Sequence, residues 1–176
     1  MRSVAFLRAI NVGGHTVRME ALRALFESLG AENVQTFIAS GNVIFDARAG
    51  DPARLERKLE RGLEKGLGYP VATFLRTLPE LLTVSLFEAF PQSEVAAAAG
   101  FYVGFLKSAP AKAAAEAVAA SSTPSHRFRV QGRELYWLRV NRDEEFTGPR
   151  TEKALGPTTV RSITTVRKIV LKYGGG

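Results

Sequence analysis

The stretch SVAFLRAINVGGHTVRMEALRALFESLG, residues 3–30, followed by VQTFIASGNVIFDA, residues 34–47, decides the fold. Residues 3–10 form an apolar, β-rich run that Gly13 and Gly14 break. Met19, Leu22, Phe26 and Leu29 then recur at helical spacing up to Gly30, a natural helix stop. VQTFIA (34–39) and VIFDA (43–47) are strand-like runs around Ser40, Gly41 and Asn42, residue types suited to a tight hairpin with positive φ. The order so far is βαββ.

Outward from this stretch, Asp51 and Pro52 occupy the N-cap and N1 positions of a helix with Leu55, Leu59, Leu63 and Leu67 along one side. Gly62 and Gly66 weaken that helix. YPVATFLR (69–76) reads as a strand, so residues 1–76 spell βαββαβ, the ferredoxin-like order. Thr77 to Glu80 form a capping box that starts a helix through about Phe87, and FPQSEVAAAAG (90–100) reads as a junction. A strand at 101–107, an alanine-rich helix at 110–121, and a hairpin of His126–Val130 with Glu134–Val140 repeat the βαββ order. From Asn141 to Pro157 no period is visible, which suggests a functional or mobile loop. Thr158 and Thr159 then precede a last helix with Val160, Ile163, Val166 and Val170 facing the core. The expectation is an α+β protein: a ferredoxin-like βαββαβ unit at 1–88, then a second α+β subdomain at 89–176. That second half reads as a duplicated βαββ-α arrangement with a C-terminal helix.

Composition excludes several classes of function. The chain has 176 residues, 45% hydrophobic and 23% charged, which is ordinary globular composition. Zero cysteines and two histidines, His15 and His126, leave no disulfide frame, no thiol nucleophile and no zinc site of the usual kind. Neither a metal nor a cofactor is expected. No apolar run is long enough to span a bilayer and no leader is evident, so a cytoplasmic protein is expected. The net charge of +7 is lopsided: residues 1–88 carry 11 Lys and Arg against 10 Asp and Glu, and residues 89–176 carry 13 against 7. A basic half attracts phosphate groups, and a solvated arginine-rich face accounts for it equally well.

Topology adds a positional inference. In a βαββαβ unit the first two strands run parallel, so the exit of the first and the turn after the second share one sheet end. Arg8, Asn11, Gly13 and Gly14 therefore belong beside Ser40, Gly41 and Asn42. Glycines admit a ligand to backbone N–H groups, the arginine is a forked donor, and the asparagines supply donors and acceptors. The same residues also read simply as turn formers. At the start of the last helix, Thr158 or Thr159 with Arg161 in the first turn and Thr165 one turn on surround an N-terminus that favours anions. An arginine there opposes the helix dipole, which hints at a partner. His15 is a loop histidine, Ser40 lacks a nucleophile elbow, and GHTVRMEALR matches no phosphate or dinucleotide loop. Tyr136 and Trp137 suit base stacking or, more ordinarily, a core.

The blocks FLRAINVGG, MEALRALFESLG, FIASGNVIF and the final T-x-R with T-V-x-K, in order along essentially the whole chain, resemble the bacterial domain-of-unknown-function 1697 family. The resemblance implies an α+β protein with marked positions Arg8, Asn11, Gly13, Gly14, Ser40, Gly41, Asn42, Thr159, Arg161, Thr165 and Lys168. Ala9 stands where the family usually has glycine. Ser162 stands where it usually has asparagine, with Ile163 and Thr164 in place of Trp-Asn. The family name carries no activity.

The leading expectation is a protein that binds a phosphate- or carboxylate-bearing small molecule where the glycine loop, the Ser-Gly-Asn turn and the last helix converge, with enzymatic activity open. Two alternatives stand beside it: a nucleic-acid-binding module using the basic C-terminal half, and a structural or self-associating protein with no ligand.

Overall fold

A computed structural model describes residues 1–11, 13–38, 41–145 and 148–175. The chain divides into two compact units, Met1–Leu81 and Leu82–Gly176.

In the first unit, β1 (Arg2–Leu7), α1 (Met19–Ser28), β2 (Glu32–Thr36), β3 (Asn42–Asp46), α2 (Pro52–Leu67) and β4 (Thr73–Thr77) follow one another, and α3 (Leu78–Leu86) begins at its end. The sheet order is β2-β3-β1-β4 with every neighbour antiparallel. Strands β1 and β2 are both antiparallel to β3 and therefore parallel to each other, as the βαββαβ reading requires. Alternation along the strands sends Ala5, Leu7, Val43, Phe45 and Leu75 into one core with Leu22 and Phe26 of α1 and Leu59 and Leu63 of α2. Gly62 and Gly66, which weaken α2 by propensity, are the positions over which α1 packs: a Cβ on Gly62 would lie 2.4 Å from the Leu29 side chain, and one on Gly66 2.8 Å from Leu25.

Local chemistry fixes the boundaries. Asp51 accepts the Ala53 N–H to cap α2, and the Thr77–Glu80 capping box closes reciprocally, with Thr77 N–H to Glu80 at 2.7 Å and Glu80 N–H to Thr77 Oγ1 at 3.3 Å. Three alternate amides of edge strand β4 meet carboxylates: Thr73 to Glu60, Leu75 to Glu56, Thr77 to Glu80. An edge whose donors are consumed by acids offers little to an intruding strand. In β2 the register shifts between Glu32 and Gln35, where Asn33 takes φ +50° and its amide donates to Asp46 at 2.8 Å. That hydrogen bond, with Arg2 beside it, holds the Asp46 carboxyl below its ordinary range although burial pulls the other way.

The second unit contains the rest of α3, then α4 (Gln92–Ala97), β5 (Gly100–Leu106), α5 (Lys112–Ala120), β6 (His126–Gln131), β7 (Glu134–Arg139), α6 (Gly148–Leu155), β8 (Thr158–Ser162) and α7 (Ile163–Tyr173). Two expectations need correction here. The stretch 141–157 is not without structure, since α6 lies in it, although residues 146 and 147 fall outside the described ones. Thr158 and Thr159 do not lead into a helix; they begin β8, and α7 starts only at Ile163. The second half is thus a full βαββαβ set, ordered β6-β7-β5-β8 and antiparallel throughout.

The registers of the two sheets coincide. Leu7 faces Thr73 and Val4 faces Arg76 in the first; Leu106 faces Thr158 and Val103 faces Arg161 in the second. Leu7 N–H donates to the Gly41 carbonyl at 2.8 Å, and Leu106 N–H to the Arg133 carbonyl at 2.9 Å. VAFLR in β1 matches VGFLK in β5, and TFLRT in β4 matches TTVRS in β8. The halves are thus similar in sequence along the β1–β4 and β5–β8 pairings.

Two outcomes follow for stability. Gly62→Ala raises helix propensity by about 1 kcal/mol yet is expected to lower net stability by roughly 1–3 kcal/mol through collision with Leu29, read by denaturant unfolding. Asp46, with a lowered carboxyl pKa, stabilises the fold above its unfolded value and loses that contribution as pH falls through the lowered one. Asn33→Ala is therefore expected to be less stable at neutral pH and to show a smaller stability drop between about pH 7 and about pH 3.

Candidate functional site

At one end of the first sheet, Phe6 faces Asn42, and Arg8 N–H donates to the Ala72 carbonyl at 2.9 Å. The loop after β1 and the turn between β2 and β3 leave the sheet together at this end. Arg8 is half-buried and Ile10 is buried, while Asn11, Gly13, Gly14 and His15 are exposed. Asn11 Oδ1 accepts the Val17 N–H at 2.9 Å, closing the loop on itself. Tyr69 donates its hydroxyl to the Ile10 carbonyl at 2.8 Å, and its ring stacks on His15 at 3.9 Å between centroids.

Across the end, Asn42 is 1% exposed and its Nδ2 donates to the Phe37 carbonyl at 2.8 Å, while Phe37 N–H donates to the Asn42 carbonyl at 3.0 Å. Its amide thus takes part in building the turn. Gly41, at φ +78°, is packed: a Cβ there would meet Ile10 at 3.0 Å and the Leu7 carbonyl at 3.2 Å. Gly13 and Gly14, at φ +63° and +82°, have no heavy atom of a described residue within 4 Å of an added Cβ. Packing therefore explains Gly41 and leaves Gly13 and Gly14 unexplained. Ser40 lies outside the described residues.

Backbone strain marks the same end, a feature residue types alone do not reveal. Among the described residues, the non-glycine positions at positive φ are Ala9, Asn33 and Ile38. Ala9, at +56°, sits in the first loop, and Ile38, at +58° and 54% exposed, sits in the turn. A β-branched residue rarely adopts this conformation. The glycine expected at position 9 from the family resemblance was the sequence signal for a left-handed backbone there.

The remaining marked residues belong to the second unit. Thr159 is buried in β8 and accepts a hydrogen bond from Arg161, 2.9 Å from Nη1, which also donates to the Val160 carbonyl. Arg161 is a strand residue, so the expectation that it opposes a helix dipole in a first turn falls. Burial pushes its guanidinium down to about 10, still protonated at neutral pH. The N-cap of α7 is Ser162, whose Oγ accepts the Thr165 N–H at 3.2 Å and lies 3.0 Å from Thr165 Oγ1. Serine and asparagine cap helices about equally well, so this departure from the family keeps the capping function. Lys168 is exposed on α7.

Side chains suited to other chemistries have structural occupations. Tyr136 and Trp137 are 2% and 8% exposed. Trp137 Nε1 donates to His126 Nδ1 at 3.0 Å, which leaves His126 Nε2 to carry its proton towards the Glu144 carbonyl at 3.1 Å. Arg127 pairs with Glu94 and lies over Phe90, and Arg129 lies over Phe87. Among the described residues no cluster of His, Asp or Glu suits a metal ion, and no helix is long and apolar enough to cross a membrane.

The family model described as a protein of unknown function (DUF1697) matches residues 1–136. No curated protein matches the chain at a significant level. The solved structure of the conserved bacterial protein SP0830 from Streptococcus pneumoniae is similar over 98% of each chain, with a TM-score of 0.73 and 22% identity. At that identity the likeness speaks for the fold alone.

The two departures from the family pattern predict opposite outcomes. Ala9→Gly relieves a left-handed alanine and is expected to stabilise by roughly 1–2 kcal/mol. Ser162→Asn is expected to change stability by less than about 0.5 kcal/mol, because one good N-cap replaces another. Thermal unfolding of the two variants measures both.

Proposed function

This chain is a member of the DUF1697 family, whose description assigns no activity, and we propose from its own residues that it binds a small phosphate- or carboxylate-bearing molecule at the loop end of its first sheet. The observation that carries this reading is the concentration of left-handed backbone there: Ala9, Gly13 and Gly14 in one loop, Ile38 and Gly41 in the other. Asn33, the remaining non-glycine case among the described residues, has a structural account in the β2 register shift and its bond to Asp46. Ala9 and Ile38 have none, and such strain collects at ligand clamps, where surrounding structure enforces it.

Consecutive left-handed glycines leave their N–H groups approachable by an anionic oxygen. Arg8 supplies positive charge as β1 enters the loop, and Asn11 holds the loop in shape through Val17. A donor-rich site of this kind stabilises negative charge better than it moves protons. His15, seated on Tyr69, is the one side chain of the loop suited to proton transfer.

Thermal shift with pyrophosphate, citrate and a single-stranded oligonucleotide tests the proposal. Pyrophosphate or citrate is expected to raise the unfolding midpoint with concentration. The Gly13→Ala, Gly14→Ala double variant costs roughly 1–2 kcal/mol per residue in backbone strain but, with no clash among the described residues, should fold and lose the response. Arg8→Ala should weaken it. A response undiminished in the glycine variant, or none to either small anion, contradicts the proposal. Stabilisation by the oligonucleotide alone, vanishing with salt, points instead to the basic second half.

A further inference from the structure

A cavity of about 170 Å3 opens at the opposite end of the first sheet, between the sheet and its two helices. Its walls are Leu29 of α1, Leu55 and Leu59 of α2, and Phe45 and Leu75 of the sheet. It exists because the residues around its mouth are small: Ala31 at the α1–β2 junction, then Ala47 and Gly50 after β3. The leucine and phenylalanine walls leave room for a six-membered ring, since an apolar cavity of about 150 Å3 takes benzene.

Charge at the mouth is arranged asymmetrically. Five charged residues line the cavity: Arg48, Asp51, Lys58, Glu80 and Arg76, the last buried with its Nη1 donating to the Leu75 carbonyl at 2.7 Å. The acids are committed to backbone donors, Asp51 to Ala53 N–H and Glu80 to Thr77 N–H. Arg48 and Lys58 are exposed and make no hydrogen bond or ion pair among the described residues. The Lys58 ammonium lies over Gly30, 3.6 Å from where a Cβ would be, at the C-terminal end of α1, whose dipole favours a cation there. An apolar hollow with two uncommitted cations at its rim is complementary to a molecule that is apolar at one end and anionic at the other.

We infer that this cavity is a second binding site, for a small amphiphilic carboxylate with an aryl or short-chain body of about six carbons. The body fills the space among the leucines, and the carboxylate reaches back to Arg48 and Lys58, where charge-assisted hydrogen bonds are available. The site lies at the far end of the sheet from the glycine loop and does not depend on it.

Titration of phenylacetate and of 2-phenylethanol, its neutral analogue, into the full-length labelled protein tests this by amide chemical-shift changes. Phenylacetate should shift Phe45, Leu55 and Leu59 and bind about tenfold tighter than the alcohol. Arg48→Met with Lys58→Met should erase that preference and leave both probes at the affinity of the alcohol. Ala47→Leu, which fills the mouth, should abolish both; if it unfolds the protein, Ala31→Leu decides. Equal affinities for the two probes, shifts confined to other residues, no binding, or binding that survives the filled mouth would overturn the inference.

Discussion

The pairing of β1 with β3, ending where Phe6 faces Asn42 and closed by the Leu7 N–H on the Gly41 carbonyl, is the constraint on which the candidate site depends. It forces the exit of β1 and the turn before β3 to leave the sheet at the same end. A slip of one residue would turn every β1 side chain to the other face, sending Ala5 and Leu7 out of the core they share with Phe26 and Leu63. The core thus fixes the register, and the register fixes the neighbourhood of the two loops. Strain at Ala9 and Ile38 is affordable only on a scaffold held this firmly.

The second sheet repeats the constraint. Val103, Leu106, Thr158 and Arg161 stand in the pairings that Val4, Leu7, Thr73 and Arg76 occupy in the first. Side chains cover non-equivalent edges of the two sheets: β4 presents its amides to Glu56, Glu60 and Glu80, and β6 gives His126 and Phe128 N–H groups to the hydroxyls of Thr123 and Ser122. The loops differ. Where the first unit follows VAFLR with the strained loop and two exposed glycines, the second follows VGFLK with Ser108, Ala109 and Pro110 and then α5.

The first unit was legible in the sequence because its signals are local and mutually consistent: Asp51–Pro52, the Thr77–Glu80 box, Gly30, and the Ser-Gly-Asn turn. The end of the second was not. TTVRS is five residues long with Thr158 and Thr159 both buried, so it lacks polar–apolar alternation, and Val160, Ile163 and Val166 happen to fall at helical spacing. Helix α6 opens on Gly148 and Pro149 and offers little apolar periodicity before Leu155. The repeat of TFLRT in TTVRS was the available signal for β8. For the candidate site, the glycine and asparagine positions could be placed from topology, whereas left-handed φ at Ala9 and Ile38 could not. Residue type argues against it at both positions.

Amide hydrogen exchange at Gly13 and Gly14, with and without pyrophosphate, tests the central claim most directly. If the strained loop is held open for an anion, both amides exchange fast in the free protein and slow markedly on addition, while Leu7, already bonded to Gly41, is unchanged. Exchange at Gly13 and Gly14 that ignores pyrophosphate would show that the loop only turns the chain.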